Sequence, residues 1–110
     1  MKNDEMHIFT YDLGDHPMDW EPDDPWDFAF WMTVTVGDGH AGSNFQIQVC
    51  TPMSIAGLDK KENLYMTDQW LGAEALIDEL NAYMASKIAE STDDPYYLLA
   101  EEWAWEYGRN

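Results

Sequence analysis

An α+β fold, an antiparallel sheet with two or three C-terminal helices packed on one face, is what the sequence predicts, on three observations. Residues 26–36 and 44–51 alternate apolar and polar side chains with the period of a strand. Residues 73–89 carry apolar side chains at spacings of three and four, the stripe of an amphipathic helix. The strand patterns come first and the helix patterns last, an order expected when helices cover one side of a sheet. A length of 110 residues fits one acidic domain spanning 1–110, with no room for a second core.

Residues 6–13 (MHIFTYDL) bring Ile8, Phe9 and Tyr11 together as a short strand. Residues 15–25 (DHPMDWEPDDP) hold three prolines and five carboxylates, so this stretch continues neither a ladder nor a helix and is predicted to be a surface loop. Trp20 in its middle is placed to pin the loop to the body. In 26–36, Trp26, Phe28, Phe30, Met32, Val34 and Val36 take one face, and Asp27, Ala29, Trp31, Thr33 and Thr35 take the other. The Gly-rich stretch 37–43 turns the chain, and Phe45, Ile47 and Val49 then oppose Asn44, Gln46, Gln48 and Cys50, which predicts a hairpin. Pro52 ends that strand, and SIAGL after it is a short turn or helix.

Residues 66–70 leave the choice of element open: Thr67 or Asp68 suits a helix cap, while Gly72 weakens a first turn. In 73–89 the stripe is Ala73, Leu76, Ile77, Leu80, Tyr83, Met84 and Ile88. Glu74 and Asp78, four apart on the opposite side, repel by a few tenths of a kcal/mol. The stripe outweighs this, because each buried Leu or Ile contributes about 1.5–3 kcal/mol. A second helix is predicted from the N-cap Asp94 and Pro95 at its first position, with Tyr96, Leu99 and Trp103 on one stripe and Gly108 as terminator.

Charge is the unusual feature of the composition. Five Lys or Arg against 22 Asp or Glu give a net charge of −17 with His neutral. Six Trp, six Tyr, four Phe and seven Met argue against a disordered acidic chain, which would be poor in aromatics. A broad negative field repels phosphates and anionic lipid and speeds encounter with a basic partner. Direct nucleic-acid binding is disfavoured on that ground. No apolar run reaches the roughly 20 residues of a membrane span, and the N-terminus lacks the apolar segment of a secretory signal. With a single Cys and no internal disulfide, cytoplasmic residence is the expectation.

Catalytic and metal-binding patterns are weak. His7, His16 and His40 form no zinc signature; Asp15, His16 and Asp19 are the only neighbours that suggest a metal, and an acidic loop with an incidental histidine explains them better. The segment GDGHAG lacks the spacing of a dinucleotide or P-loop motif and lies between two strands, where a hairpin turn suffices. Cys50 has no identified His partner and reads as structural. The many carboxylates specify no acid–base pair. No enzymatic activity, cofactor or metal is expected. Trp26 and Trp103 fit core stripes, whereas Trp31 and Trp105 lie off them and are either covered by another segment or free to anchor a partner, a choice equally open for Trp20 and Trp70.

The segment from Phe28 to Gly37 (FAFWMTVTVG), a glycine-rich break, and then Ser43 to Pro52 (SNFQIQVCTP) resemble the immunity protein 8 family, whose pattern is a hydrophobic strand ending in Gly followed by an F-x-x-x-V-C-T-P-like strand. Phe45, Val49, Cys50, Thr51 and Pro52 match in place, and the resemblance covers about residues 26–58. It implies a bacterial immunity protein of a polymorphic-toxin or contact-dependent growth inhibition system. Such a protein binds its cognate toxin domain, often a basic nuclease, and neutralises it stoichiometrically without catalysis. The acidic balance, read independently, suits that partner. The candidate contacts are Asp19, Glu21, Asp23 and Asp24 with Trp20 as anchor, and a second patch of Glu74, Asp78, Glu101, Glu102 and Glu106. The alternatives are an acidic regulatory module for another basic protein, or a small metal-dependent enzyme using His16 and nearby Asp residues.

Overall fold

The hairpin predicted by the two alternating segments forms the centre of the sheet. In the computed structural model, which describes residues 6–37, 42–89, 99 and 103–105, β2 (Ala29–Gly37) pairs antiparallel with β3 (Gly42–Cys50) in unbroken register from Ala29 opposite Cys50 to Gly37 opposite Gly42. Period two sends Phe30, Met32, Val34 and Val36 to the same face as Phe45, Ile47 and Val49, and all seven are buried. The other face carries Trp31, Thr33 and Thr35 opposite Gln48, Gln46 and Asn44.

On one side of the hairpin, β1 (His7–Asp12) pairs antiparallel with β2, and a register shift between Ile8 and Thr10 marks a bulge at Phe9. The bulge sets Ile8 and Tyr11 on the core face although they are three apart. On the other side, the edge of β3 is shared: β4 (Leu64–Met66) runs parallel to Gln48–Cys50, and β5 (Ala104–Trp105) runs antiparallel to Phe45–Gln46. The β3–β4 connection contains a 3-10 turn at Ile55–Gly57 and crosses the face bearing Gln48. Gln48 is buried there, its Nε2 donating to the carbonyls of Lys60 at 2.9 Å and Glu62 at 3.1 Å.

The opposite face is covered by α1 (Ala73–Ala89), which buries Leu76, Ile77, Leu80, Met84 and Ile88 in one cluster with the sheet. Gly72, at φ +108°, accepts the first helical bond from the Leu76 N–H at 3.1 Å. Asn81 ties the helix to the sheet, its Oδ1 accepting the Ile8 N–H at 2.8 Å. Glu79 does the same for the other edge, accepting from the Tyr65 hydroxyl at 3.1 Å and the Thr67 hydroxyl at 3.0 Å.

The fold departs from the expected antiparallel sheet with two or three C-terminal helices. The sheet is mixed, and α1 is the one α-helix of more than a single turn among the described residues. The four-residue spacing of Leu99 and Trp103 does produce a helical bond, Trp103 N–H to Leu99 carbonyl at 2.8 Å. The chain then leaves the helix, because Ala104 and Trp105 find strand partners on the unfilled edge of β3. The expected cap at Asp94–Pro95 and terminator at Gly108 lie outside the described residues. Trp103 is buried as its stripe predicts, with its ring against Phe45 and Tyr83.

Candidate interaction site

The acidic loop between β1 and β2 is held in place at every few residues. Leu13 is fully buried at the end of β1 and forms a bridge with His16. Between them the chain turns through Gly14, whose N–H donates to Asp12 Oδ1 at 3.0 Å. Gly14 has φ +67°, and a Cβ there would come within 2.5 Å of the Trp31 carbonyl oxygen, so a side chain is excluded on both counts. His16 stacks flat on Trp20, ring centroids 4.1 Å apart, and Trp20 packs on Phe30 and Trp70 at 5.0 and 5.4 Å.

The far end of the loop is fixed by backbone bonds. Asp24 Oδ1 accepts the Trp26 N–H at 2.9 Å, and the Asp24 carbonyl accepts the Asp27 N–H at 3.2 Å. The Trp70 N–H donates to the Pro25 carbonyl at 2.8 Å, and the buried Phe28 N–H donates to Thr51 Oγ1 at 3.1 Å. Thr51 N–H returns a bond to the Phe28 carbonyl, which also accepts from the Ser54 hydroxyl at 2.7 Å. With Leu13 and Trp20 turned inward, the loop leaves Asp15, Asp19, Glu21, Asp23, Asp24 and Asp27 exposed. No Lys or Arg occurs between Lys2 and Lys60, so these carboxylates have no cation nearby in sequence.

Of the two roles expected of Trp20, the structure bears out the pin, and it moves Trp26 from the expected core to the surface. Trp20, the expected anchor, is half-buried and serves as the pin of the loop. Trp26, assigned to the core by alternation, is 51% exposed, because β2 begins only at Ala29 and residues 24–27 form a turn. Beside it, Pro52, Met53, Asp68 and Gln69 complete a cleft of about 350 Å³. Three connections converge to build it: Trp70 to Pro25, Phe28 to Thr51, and the Thr67 N–H to the Cys50 carbonyl at 2.9 Å. Met53, 66% exposed, adds to the apolar surface of the cleft, and Leu71 is equally exposed. Met53, Gln69 and Leu71 lie in short connections without periodicity that no sequence pattern distinguished, and Asp68, suited by sequence to cap a helix, lies instead in a bend.

Glu74 and Asp78 are exposed on the first two turns of α1. Glu74 follows Trp70 by four residues, and Trp70 packs on Trp20, so the start of the helix adjoins the acidic loop. Glu101, Glu102 and Glu106 lie outside the described residues. Trp31, 40% exposed on the outer sheet face, borders a cavity of about 420 Å³ formed with Ala29, Phe30, Gln48 and the 57–60 crossover.

Cys50 and Tyr65 have shifted acidities. Burial pushes the Cys50 thiol up, which disfavours the thiolate a nucleophile requires. Tyr65 is pushed up to about 12 by burial first and by the adjacent Glu79 carboxylate second. Among the described residues, no three His, Cys, Asp or Glu side chains converge where a metal ion could be held, and no helix is long and apolar enough to cross a membrane. No family model, curated protein or solved structure matches the chain.

Proposed function

We propose that this protein captures a basic protein domain stoichiometrically and without catalysis, as an immunity protein neutralises a cognate bacterial toxin. The observation that carries this reading is the set of six exposed carboxylates on a loop pinned by Trp20. A loop whose backbone is already held loses little backbone freedom on binding, so more of its attraction is realised as affinity. Long-range attraction raises the rate of encounter, and desolvated central contacts slow release. Single exposed ion pairs add only about 0–1 kcal/mol each, so affinity requires an apolar anchor beside the charges. Trp26 and Met53, which line one cleft, supply one. The toxin-system assignment rests on the residue pattern around Phe45–Pro52, and a basic nuclease is the partner that best suits the charge.

The decisive experiment is co-expression with the product of the adjacent upstream gene. Growth rescue together with stable co-purification is expected. Association measured from about 50 to 500 mM salt should slow steeply as the field is screened. A toxic neighbour that is neither bound nor neutralised overturns the reading.

A further inference from the structure

We propose that the cleft bounded by Trp26, Pro52, Met53, Asp68 and Gln69 receives an arginine side chain of the basic partner. This rests on the reading that the partner is a basic protein, and it names the group the partner inserts. The cleft offers three kinds of surface: the half-exposed indole of Trp26, the apolar flank of Pro52 and Met53, and the carboxylate and amide of Asp68 and Gln69. An anion is repelled, both by Asp68 and by the neighbouring Asp24 and Asp27. A purely aliphatic guest would fill the apolar wall but desolvate the Asp68 carboxylate without compensation.

A cationic side chain satisfies both walls, and the choice falls between lysine and arginine. The ammonium of lysine is compact and strongly hydrated and offers a π-face only a point charge. The guanidinium is planar and weakly hydrated, stacks on indole, and presents paired N–H donors to a carboxylate. Arginine therefore matches a site with an aromatic face and a carboxylate on its rim. About 350 Å³ is at the small end of ligand pockets and suits a single side chain. The site is also largely formed in advance: the Trp26 N–H is held by Asp24, and the segment carrying Asp68 and Gln69 is bonded to the sheet at Thr67 and to the loop at Trp70.

The test uses the full chain and two fluorescently labelled peptides of equal length, oligo-arginine and oligo-lysine, titrated at fixed salt. The wild type should bind oligo-arginine about fivefold to tenfold more tightly than oligo-lysine, the difference expected of one well-placed stacking site. Trp26→Ala and Asp68→Asn should each collapse that ratio towards one. A combined Asp19→Asn, Glu21→Gln, Asp23→Asn variant should weaken both peptides while preserving the ratio. If the preference for arginine is absent in the wild type, or survives both Trp26→Ala and Asp68→Asn, the cleft is not the arginine site, and the basic-partner reading stands unaffected. If neither peptide binds, both fall. Trp26 is half-exposed and outside any strand, and Asp68 is exposed, so neither substitution removes a core contact.

Discussion

At the scale of single residues, Thr51 shows how a buried hydroxyl can position a surface loop. Its Oγ1 accepts the Phe28 N–H where the loop enters β2, and Thr51 is wholly buried. Valine has nearly the same shape but cannot accept that bond. Thr51→Val should therefore cost about 1–3 kcal/mol, the penalty of an unsatisfied buried donor, measured by urea denaturation. Tyr65 gives a prediction in pH. Its hydroxyl is held from the ordinary value of 10 up to about 12, so the unfolded chain releases this proton first as pH rises. Its contribution is intact below pH 10 and is lost between 10 and about 12. Ultraviolet titration should show a late-ionising component that is lost in Tyr65→Phe. In Glu79→Gln it should move only part of the way back, since burial is the larger cause.

At the scale of elements, what could be read in advance depended on length and on where the partner lies. The hairpin was legible because nine-residue strands repeat their period often enough to be unmistakable. The helix was legible at Ala73–Ala89 because its stripe runs for more than four turns. Three-residue β4 and two-residue β5 carry no period, and only the vacant edge of β3 makes them strands. The same limit explains Trp26. Alternation continues through it in sequence, but the Asx turn at Asp24 breaks the strand before the pattern ends. The acidic loop was readable from its prolines and carboxylates, whereas the exposure of Trp26 was not, since exposure depends on which tryptophan the fold happens to enclose. One inter-element bond is directly testable. Asn81→Ala removes the acceptor of the Ile8 N–H. It should destabilise the protein by about 1–2 kcal/mol and raise hydrogen exchange in β1, leaving the β2–β3 ladder protected.

At the scale of the whole molecule, a net charge of −17 opposes the compactness that the core enforces. Self-repulsion is strongest in the folded state, where the charges are closest, and salt screens it. Raising sodium chloride from about 50 to 500 mM should therefore increase the thermal midpoint, read by calorimetry, while slowing association with a basic partner. The two opposite salt responses share one cause. A chain whose midpoint falls over that range would show that its charges are locally compensated and would remove the basis for electrostatic steering.

The divided edge of β3 has a consequence for biosynthesis. Phe45 and Gln46 are translated early, yet the strand that covers their outer backbone groups, Ala104–Trp105, emerges some 58 residues later. Until then a nascent chain lacks that cover on the strand carrying Phe45, Ile47 and Val49, an open border of the kind on which polypeptides stack into aggregates. Chains released by a stop codon just before Ala104 should accumulate as insoluble oligomers, scored by sedimentation, unless a chaperone shields that border.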